Sequence, residues 1–246
     1  MYILSVDTTA KTAAVAVSKT VDETVFPLCD ARLNSTLTHS ESLLPMIDFC
    51  LKSANIPLSD IDVLAISAGP GSFTGVRIGI STVKGLAFGS DSVRCVPVSA
   101  LEALCENVSD ESRGTVICAC MDARRNQFYN AIFSANGKGK IKRLCEDRAI
   151  GEDELYCELC EKYVGKRIVL VGDGALLAYK LFSSHDGFDK MKIVTARSDR
   201  LLQDASSVAR CALRHINETV DADKLNPVYL RLSQAERERN ERMTKE

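Results

Sequence analysis

Apolar positions in this chain fall into short blocks whose period switches between two and about three and a half, and the switches mark out its elements. Ile3, Leu4 and Val6 form a run that ends at Asp7, and similar runs predict strands near Tyr2–Val6, Ala13–Ser18 and Glu23–Arg32. From Ser40 to Ala54 the spacing of Leu43, Ile47, Cys50 and Leu51 becomes helical. Val63-Leu64-Ala65-Ile66 reads as a buried strand, within a strand near Asp62–Ser67. After the glycine-rich stretch 69–79, Val76, Ile80, Val83 and Ala87 predict a helix, followed by a strand at Arg94–Val98 and a helix from Ala100.

The remaining chain repeats this order. Strands are expected near Thr115–Met121, Gln127–Ser134 and Lys140–Arg148, then a helix near Asp153–Tyr163. A strand at Arg167–Val171, a helix from Ala175, a strand near Lys192–Thr195 and a helix from Asp204 to about Asn217 complete it. Each first strand ends in an acid, Asp7 and Asp122, and each fourth strand ends at glycines, Gly69-Pro70-Gly71 and Gly172-Asp173-Gly174. A period this long is no solenoid. It indicates two β-β-β-α-β-α-β-α units, the duplicated α/β plan of actin-like and sugar-kinase-like proteins (the ribonuclease H-like, ASKHA group). The expected division is 1–110, 111–233 and a charged tail, 234–246, with alternating Glu and Arg that suit a solvated end.

In that plan the turn after each first strand cradles phosphate. Here the first turn, Asp7-Thr8-Thr9-Ala10, is small enough for an anion to approach. The second, Asp122-Ala123-Arg124-Arg125-Asn126, has no glycine and two long cations that obstruct close backbone approach. Asp7, Thr8, Thr9 and Asp122 are therefore expected to be vestigial phosphate turns, and no catalytic residue is assigned. The glycine stretch 69–79 lacks the Lys-Ser/Thr of a P-loop, and Pro70 has no N–H to offer. Gly75 and Gly79, four apart, favour close helix approach instead. The two flanking helices carry more apolar residues than one buried stripe needs, so the surplus is available to a partner pair of helices. The other reading makes all of them core, with the glycines serving helix–sheet packing.

A formal net charge of −2 gives no global attraction for nucleic acid, so RNA binding needs a local patch or a partner. The first residues lack a signal peptide's pattern, no run is long enough to span a membrane, and a cytoplasmic location is expected. Most of the ten cysteines sit in apolar stretches as small hydrophobes, and Cys157–Cys160 has no second ligand pair. The three histidines, at 39, 185 and 215, form no metal-binding helix motif, so no intrinsic metal is expected. Ser40 is the expected helix cap beside His39.

Ile3–Thr9, His39-Ser-Glu-Ser-Leu-Leu-Pro45, Gly69–Gly79, Lys84–Ala87, Asp122–Arg125 and Pro227-Val-Tyr-Leu-Arg231 resemble, in order, the TsaB (YeaZ-like) family. The resemblance implies an actin-like fold and a non-catalytic role in making N6-threonylcarbamoyladenosine in tRNA. It implies pairing with the TsaD-like paralogue, which holds the metal and transfers the group, joined by the TsaE-like ATPase. It also implies a homodimer when alone, tRNA reached through the complex, and ATP and metal on the partner subunits. The implied interface takes His39, Ser40, Glu41, Leu44 and Ile47 from the first helix. From the loop and second helix it takes Gly71, Ser72, Phe73, Thr74, Gly75, Arg77, Gly79, Ile80 and Val83. The readings set against it are a stand-alone actin-like ATPase or kinase and a glycoprotease-like metallopeptidase. The glycine-free second turn argues against the first, and the missing ligand histidines against the second.

Overall fold

Two mixed sheets, built the same way, organise the computed structural model, which describes residues 1–90 and 93–231. The expected tail at 234–246 lies outside the described residues. In the first sheet β1 (Tyr2–Asp7) is central, antiparallel to β2 (Ala13–Val21) and parallel to β4 (Val63–Gly69). Strands β3 (Thr24–Leu33) and β5 (Arg94–Ser99) complete the order β3-β2-β1-β4-β5. Every residue of β4 is buried, which is why it reads as an unbroken apolar run, with helices on both sides of the sheet.

The second sheet places β6 (Val116–Asp122) where the first places β1, with β7 (Gln127–Ala135) antiparallel and β10 (Arg167–Val171) parallel to it. Strand β11 (Lys192–Thr195) lies at one edge and β8 (Ile141–Arg143) at the other. The single strand expected over Lys140–Arg148 is two pieces, because Leu144 and Cys145 both donate to the Ile132 carbonyl and throw the chain out of the ladder. It resumes as β9 (Arg148–Gly151), paired with the start of β7. The repeat is real, and with it the duplicated actin-like fold.

Helices α1 (His39–Ala54) and α2 (Phe73–Ala87) cover one face of the first sheet, around Leu4, Val6, Val15, Leu43, Ile47 and Val76. Helices α4 (Glu152–Lys162) and α5 (Ala175–Phe182) belong to the second half. The last helix of each half crosses over: α6 (Ala205–Arg214) packs on β1–β3, while α3 (Ala100–Glu106) packs on β6 and against α6. Asp204 caps α6 by accepting from Ser206 N at 2.8 Å. Arg214 holds Glu102 at 3.2 Å and the buried Glu106 at 2.9 Å, so the carboxylates of α3 are neutralised from α6. The halves thus share one charge-paired seam. The helix expected to reach Asn217 stops at Arg214, with a short 3-10 turn beyond it.

The cysteines match their sequence reading. Cys50, Cys95, Cys105, Cys118, Cys120 and Cys211 are buried, and all ten thiols are free. No helix among the described residues is long and apolar enough to cross a membrane.

Candidate functional site

Both first-strand turns point into one cleft between the halves, with a volume of about 520 Å³. At its first wall Asp7 is buried and fully engaged: Oδ1 accepts from Thr9 N at 2.8 Å and Thr9 Oγ1 at 2.7 Å, and Oδ2 from Ser67 Oγ at 2.6 Å. Burial pushes its pKa up despite these bonds. The rest of the turn is pinned by the glycine stretch. Thr8 Oγ1 donates to the Gly75 carbonyl at 2.8 Å, and Ser72 N donates to the Thr9 carbonyl at 2.7 Å. His39 Nε2 lies 2.7 Å from the Ala10 carbonyl, which only accepts, so the ring proton sits on Nε2.

The opposite wall repeats the device. Asp122 Oδ1 accepts from Arg124 N at 2.7 Å, as Asp7 does from Thr9 N, so in both turns the aspartate takes the N–H two residues on. Arg124, Arg125 and Asn126 follow one another in the left-handed region, with φ of 66°, 59° and 54°. Two bulky residues there store strain of roughly 1–2 kcal/mol each. Asp173 follows β10 and is open to water, but the enclosing cleft walls push its pKa up to about 6, with Asp122 and Asp7 adding repulsion. Gly69 and Gly172 occupy corresponding places with φ of 121° and 111°.

The chain end closes the arrangement. Val228 N donates to the Ala68 carbonyl at 2.8 Å, Tyr229 stacks on Phe73 with ring centroids 3.9 Å apart, and Arg231 Nη1 donates to the Ala123 carbonyl at 2.6 Å. Arg77 Nε donates to the Tyr229 hydroxyl at 2.8 Å. The motif Pro227–Arg231 is therefore a strap from the glycine stretch to the second turn, a role that nothing in its sequence announces.

Chemically, this cleft is poorly furnished for holding phosphate by itself. The N–H groups of Thr9 and Arg124, which would face an anion, are spent on the turns' own aspartates. Asp122 and Asp173 repel an anion unless a cation accompanies it. Lys11, Arg124 and Arg231 line the same space and offset part of that repulsion. Among the described residues, one group could hold a metal ion: Glu152, Asp153 and His185, at the start of α4 and just after α5. His185 Nε2 is 2.6 Å from Glu152 Oε1, which is hydrogen-bond distance.

The candidate interface residues divide. Ser40, Glu41, Leu44, Ser72, Thr74 and Arg77 are exposed, and His39, Gly71 and Phe73 are half-buried. Ile47, Gly75, Gly79, Ile80 and Val83 are buried within the chain itself. The expectation that Gly75 and Gly79 serve close approach of another helix is corrected. A β-carbon at Gly75 would strike the Thr8 carbonyl, and one at Gly79 the Thr8 hydroxyl, so these glycines let α2 close onto the β1 turn. Ser40 is not the cap of α1 either. Thr38 is, with its N–H donating to Glu41 Oε2 at 2.8 Å, so Glu41 helps to build the helix start.

What remains outside is nonetheless apolar. Leu44 is 55%, Phe49 57% and Phe88 90% exposed on α1 and at the end of α2. Leu44 also lines an open groove of about 690 Å³, together with Leu51, Ile56, Leu58 and Leu86. Phe49 and Phe88 belong to the apolar surplus of the two helices but not to the implied interface list, because periodicity marks apolar residues without saying which way surplus ones face.

The family model for TsaD, tRNA N6-adenosine threonylcarbamoyltransferase, matches residues 34–237. The chain is 31% identical to the tRNA threonylcarbamoyladenosine biosynthesis protein TsaB of Escherichia coli over 94% of its length and 95% of the relative's. It is 26% identical to the protein of that name from Bacillus subtilis, over 96% of each chain. The solved structure of YeaZ from Pseudomonas aeruginosa has the same fold, with a TM-score of 0.74 at 23% identity, covering 93% of this chain and 99% of that one.

Proposed function

The chain belongs to the TsaB (YeaZ-like) family, and from that membership we propose that it serves N6-threonylcarbamoyladenosine biosynthesis as a non-catalytic scaffold. It pairs with the TsaD-like paralogue, which carries the metal and the transfer chemistry, and the TsaE-like ATPase joins the pair. The observation that carries this reading is the exposed apolar surface of α1 and α2, where Leu44, Phe49 and Phe88 stand in water. Burying each such side chain is worth about 1.5–3 kcal/mol, enough for a few of them to hold an interface together. Two further features support it. The turns of the cleft are closed on Asp7 and Asp122, and the strap keeps the cleft wall braced against α2. On this reading the chain has no catalytic group of its own, and the surviving residues of the old phosphate turns hold shape.

Reconstituting tRNA modification with and without this chain, beside its TsaD-like and TsaE-like partners, tests the proposal. Product should depend on the chain. The double variant Leu44→Asp, Phe88→Ser should keep its fold, bind the paralogue at least thirtyfold more weakly, and lose product in proportion; two central contacts worth about 1 kcal/mol each already give that factor. Modification that proceeds without the chain, or a double variant that pairs normally, overturns it.

A further inference from the structure

We propose that the edge of the second sheet remote from the cleft is a phosphate-contacting surface for RNA. The proposal rests on the tRNA role above and adds a direct contact by this chain. At that edge begin β6, β8, β10 and β11, and there β7 ends, as their pairing shows: Val116 lies opposite Ser134, Ile168 beside Val116, and Arg167 beside Lys192. Each of these strand starts brings cations. Arg113 precedes β6, Lys138, Lys140 and Lys142 belong to the β7–β8 hairpin, Lys166 precedes β10, Lys190 ends the turn before β11 and Lys192 opens it. All seven are exposed, and among the described residues none of these side chains makes an ion pair or hydrogen bond.

The hairpin is built to present them. Asn136 Oδ1 accepts from Lys138 N at 2.8 Å and Lys140 N at 3.0 Å, and Gly137 and Gly139 take φ of 76° and 70°. Those bonds satisfy the backbone and leave the lysine side chains free in water. Several acids on these segments are already engaged: Glu111 by Arg167 at 3.3 Å, Asp110 by Arg200 at 2.6 Å, and Glu106, which lines one groove with Glu23 and Lys140, by Arg214 at 2.9 Å. In a chain of net charge −2, such a concentration is local by construction.

Size and character favour a nucleic acid backbone. With strands about 4.8 Å apart, the five-strand edge from β11 to β8 spans roughly 19 Å. At about 3.4 Å per phosphate along a strand, that is on the order of five phosphates. Lysines on a hairpin and at strand starts position a backbone without reading its bases. The edge lies about 20 Å from the cleft, one length of β6, so an RNA seated there leaves the cleft and the α1–α2 face free.

The test uses the chain assembled with its paralogue and a labelled tRNA transcript, followed by fluorescence anisotropy between 50 and 200 mM salt. The variant Lys138→Glu, Lys140→Glu, Lys142→Glu changes two exposed turn positions and one exposed position of β8, and its melting curve and paralogue affinity should match the parent. Its tRNA affinity should fall at least tenfold at 50 mM salt, and its log–log salt slope should flatten by about 2–3. In the modification assay its KM for tRNA should rise with kcat unchanged. Arg197→Glu, at an exposed position past the opposite end of β11, should do neither. Unchanged affinity and slope, no tRNA binding by the parent assembly, or tighter binding of this edge to anionic phosphatidylserine vesicles than to tRNA, overturns the proposal. If the parent chain supports modification and the variant equals it, only the surface is wrong. If the parent does not support modification, the scaffold reading falls instead.

Discussion

Gly75→Ala and Gly85→Ala put the same methyl group on the same helix and should move stability in opposite directions. At Gly75 the new β-carbon would overlap the Thr8 carbonyl and come within 3.2 Å of His39 Cδ2 and 3.3 Å of Ser72 Cβ. Thr8 belongs to the turn held by Asp7, Thr9 and Ser67, so it cannot retreat without pulling on those hydrogen bonds. Overpacking against a pinned backbone carbonyl falls in the upper part of the usual range, about 2–3 kcal/mol, against which alanine's better helix propensity returns about 1 kcal/mol. The net loss is about 1–2 kcal/mol, which in a domain of this size lowers Tm by roughly 2–8 °C. At Gly85 nothing lies within 4 Å of the added carbon, so only the propensity gain of about 1 kcal/mol remains, and Tm should rise by roughly 2–4 °C. Thermal and urea unfolding of both variants, with paralogue binding measured on the same samples, makes the comparison. A Gly75→Ala protein that melts like the parent while pairing is lost would refute the inward reading and restore the glycine to the interface.

Asp7→Ala should cost about 2–4 kcal/mol by urea unfolding, since it leaves Ser67 and Thr9 without their buried acceptor; a neutral effect would show that the turn does not depend on it. The purified chain should hydrolyse ATP no faster than buffer, and turnover that vanishes with Asp7→Ala would sink the scaffold reading. Asp173 titrates at about 6 in the fold and near 3.8 unfolded, so its ionised form burdens the fold above pH 6 and the burden fades as pH falls. Asp173→Asn should therefore stabilise at pH 7 and make little difference near pH 4, as unfolding midpoints at the two pH values will show. His215 is pushed down by burial but up, on balance, by Glu218 and Glu102. Its stabilisation is complete below about 6.5 and is lost as pH rises through the higher folded value, so His215→Gln should flatten the stability profile above pH 6.5.

Nearly every strand and helix was legible in the sequence, because burial of one face imposes a period that survives in the residue order. Where the expectation slipped, hydrogen bonds that apolar spacing does not record were responsible. Two amides converging on the Ile132 carbonyl divided one strand into β8 and β9, and the Thr38–Glu41 pairing moved the start of α1 away from Ser40. The candidate site was legible in its parts, the two acidic turns and the glycine stretch, but not in its assembly. Tyr229 and Arg231 lie far along the chain from Phe73 and Ala123, and only the fold makes them a strap.

By itself the sequence determined the order of elements, their duplication and the places where an acid ends each central strand. These are local properties, written in apolar spacing and in turn residues whose chemistry acts over a few positions. Only the tertiary structure decided which way α2 turns its glycines, that α6 returns to the first sheet, and that lysines from separate strand starts gather at one edge. Periodicity records that a side chain is buried, not what it is buried against. A glycine is silent on the matter, since the same missing β-carbon admits a neighbouring turn or a neighbouring molecule. The Thr8 carbonyl, brought from β1 to the face of α2, settled it here.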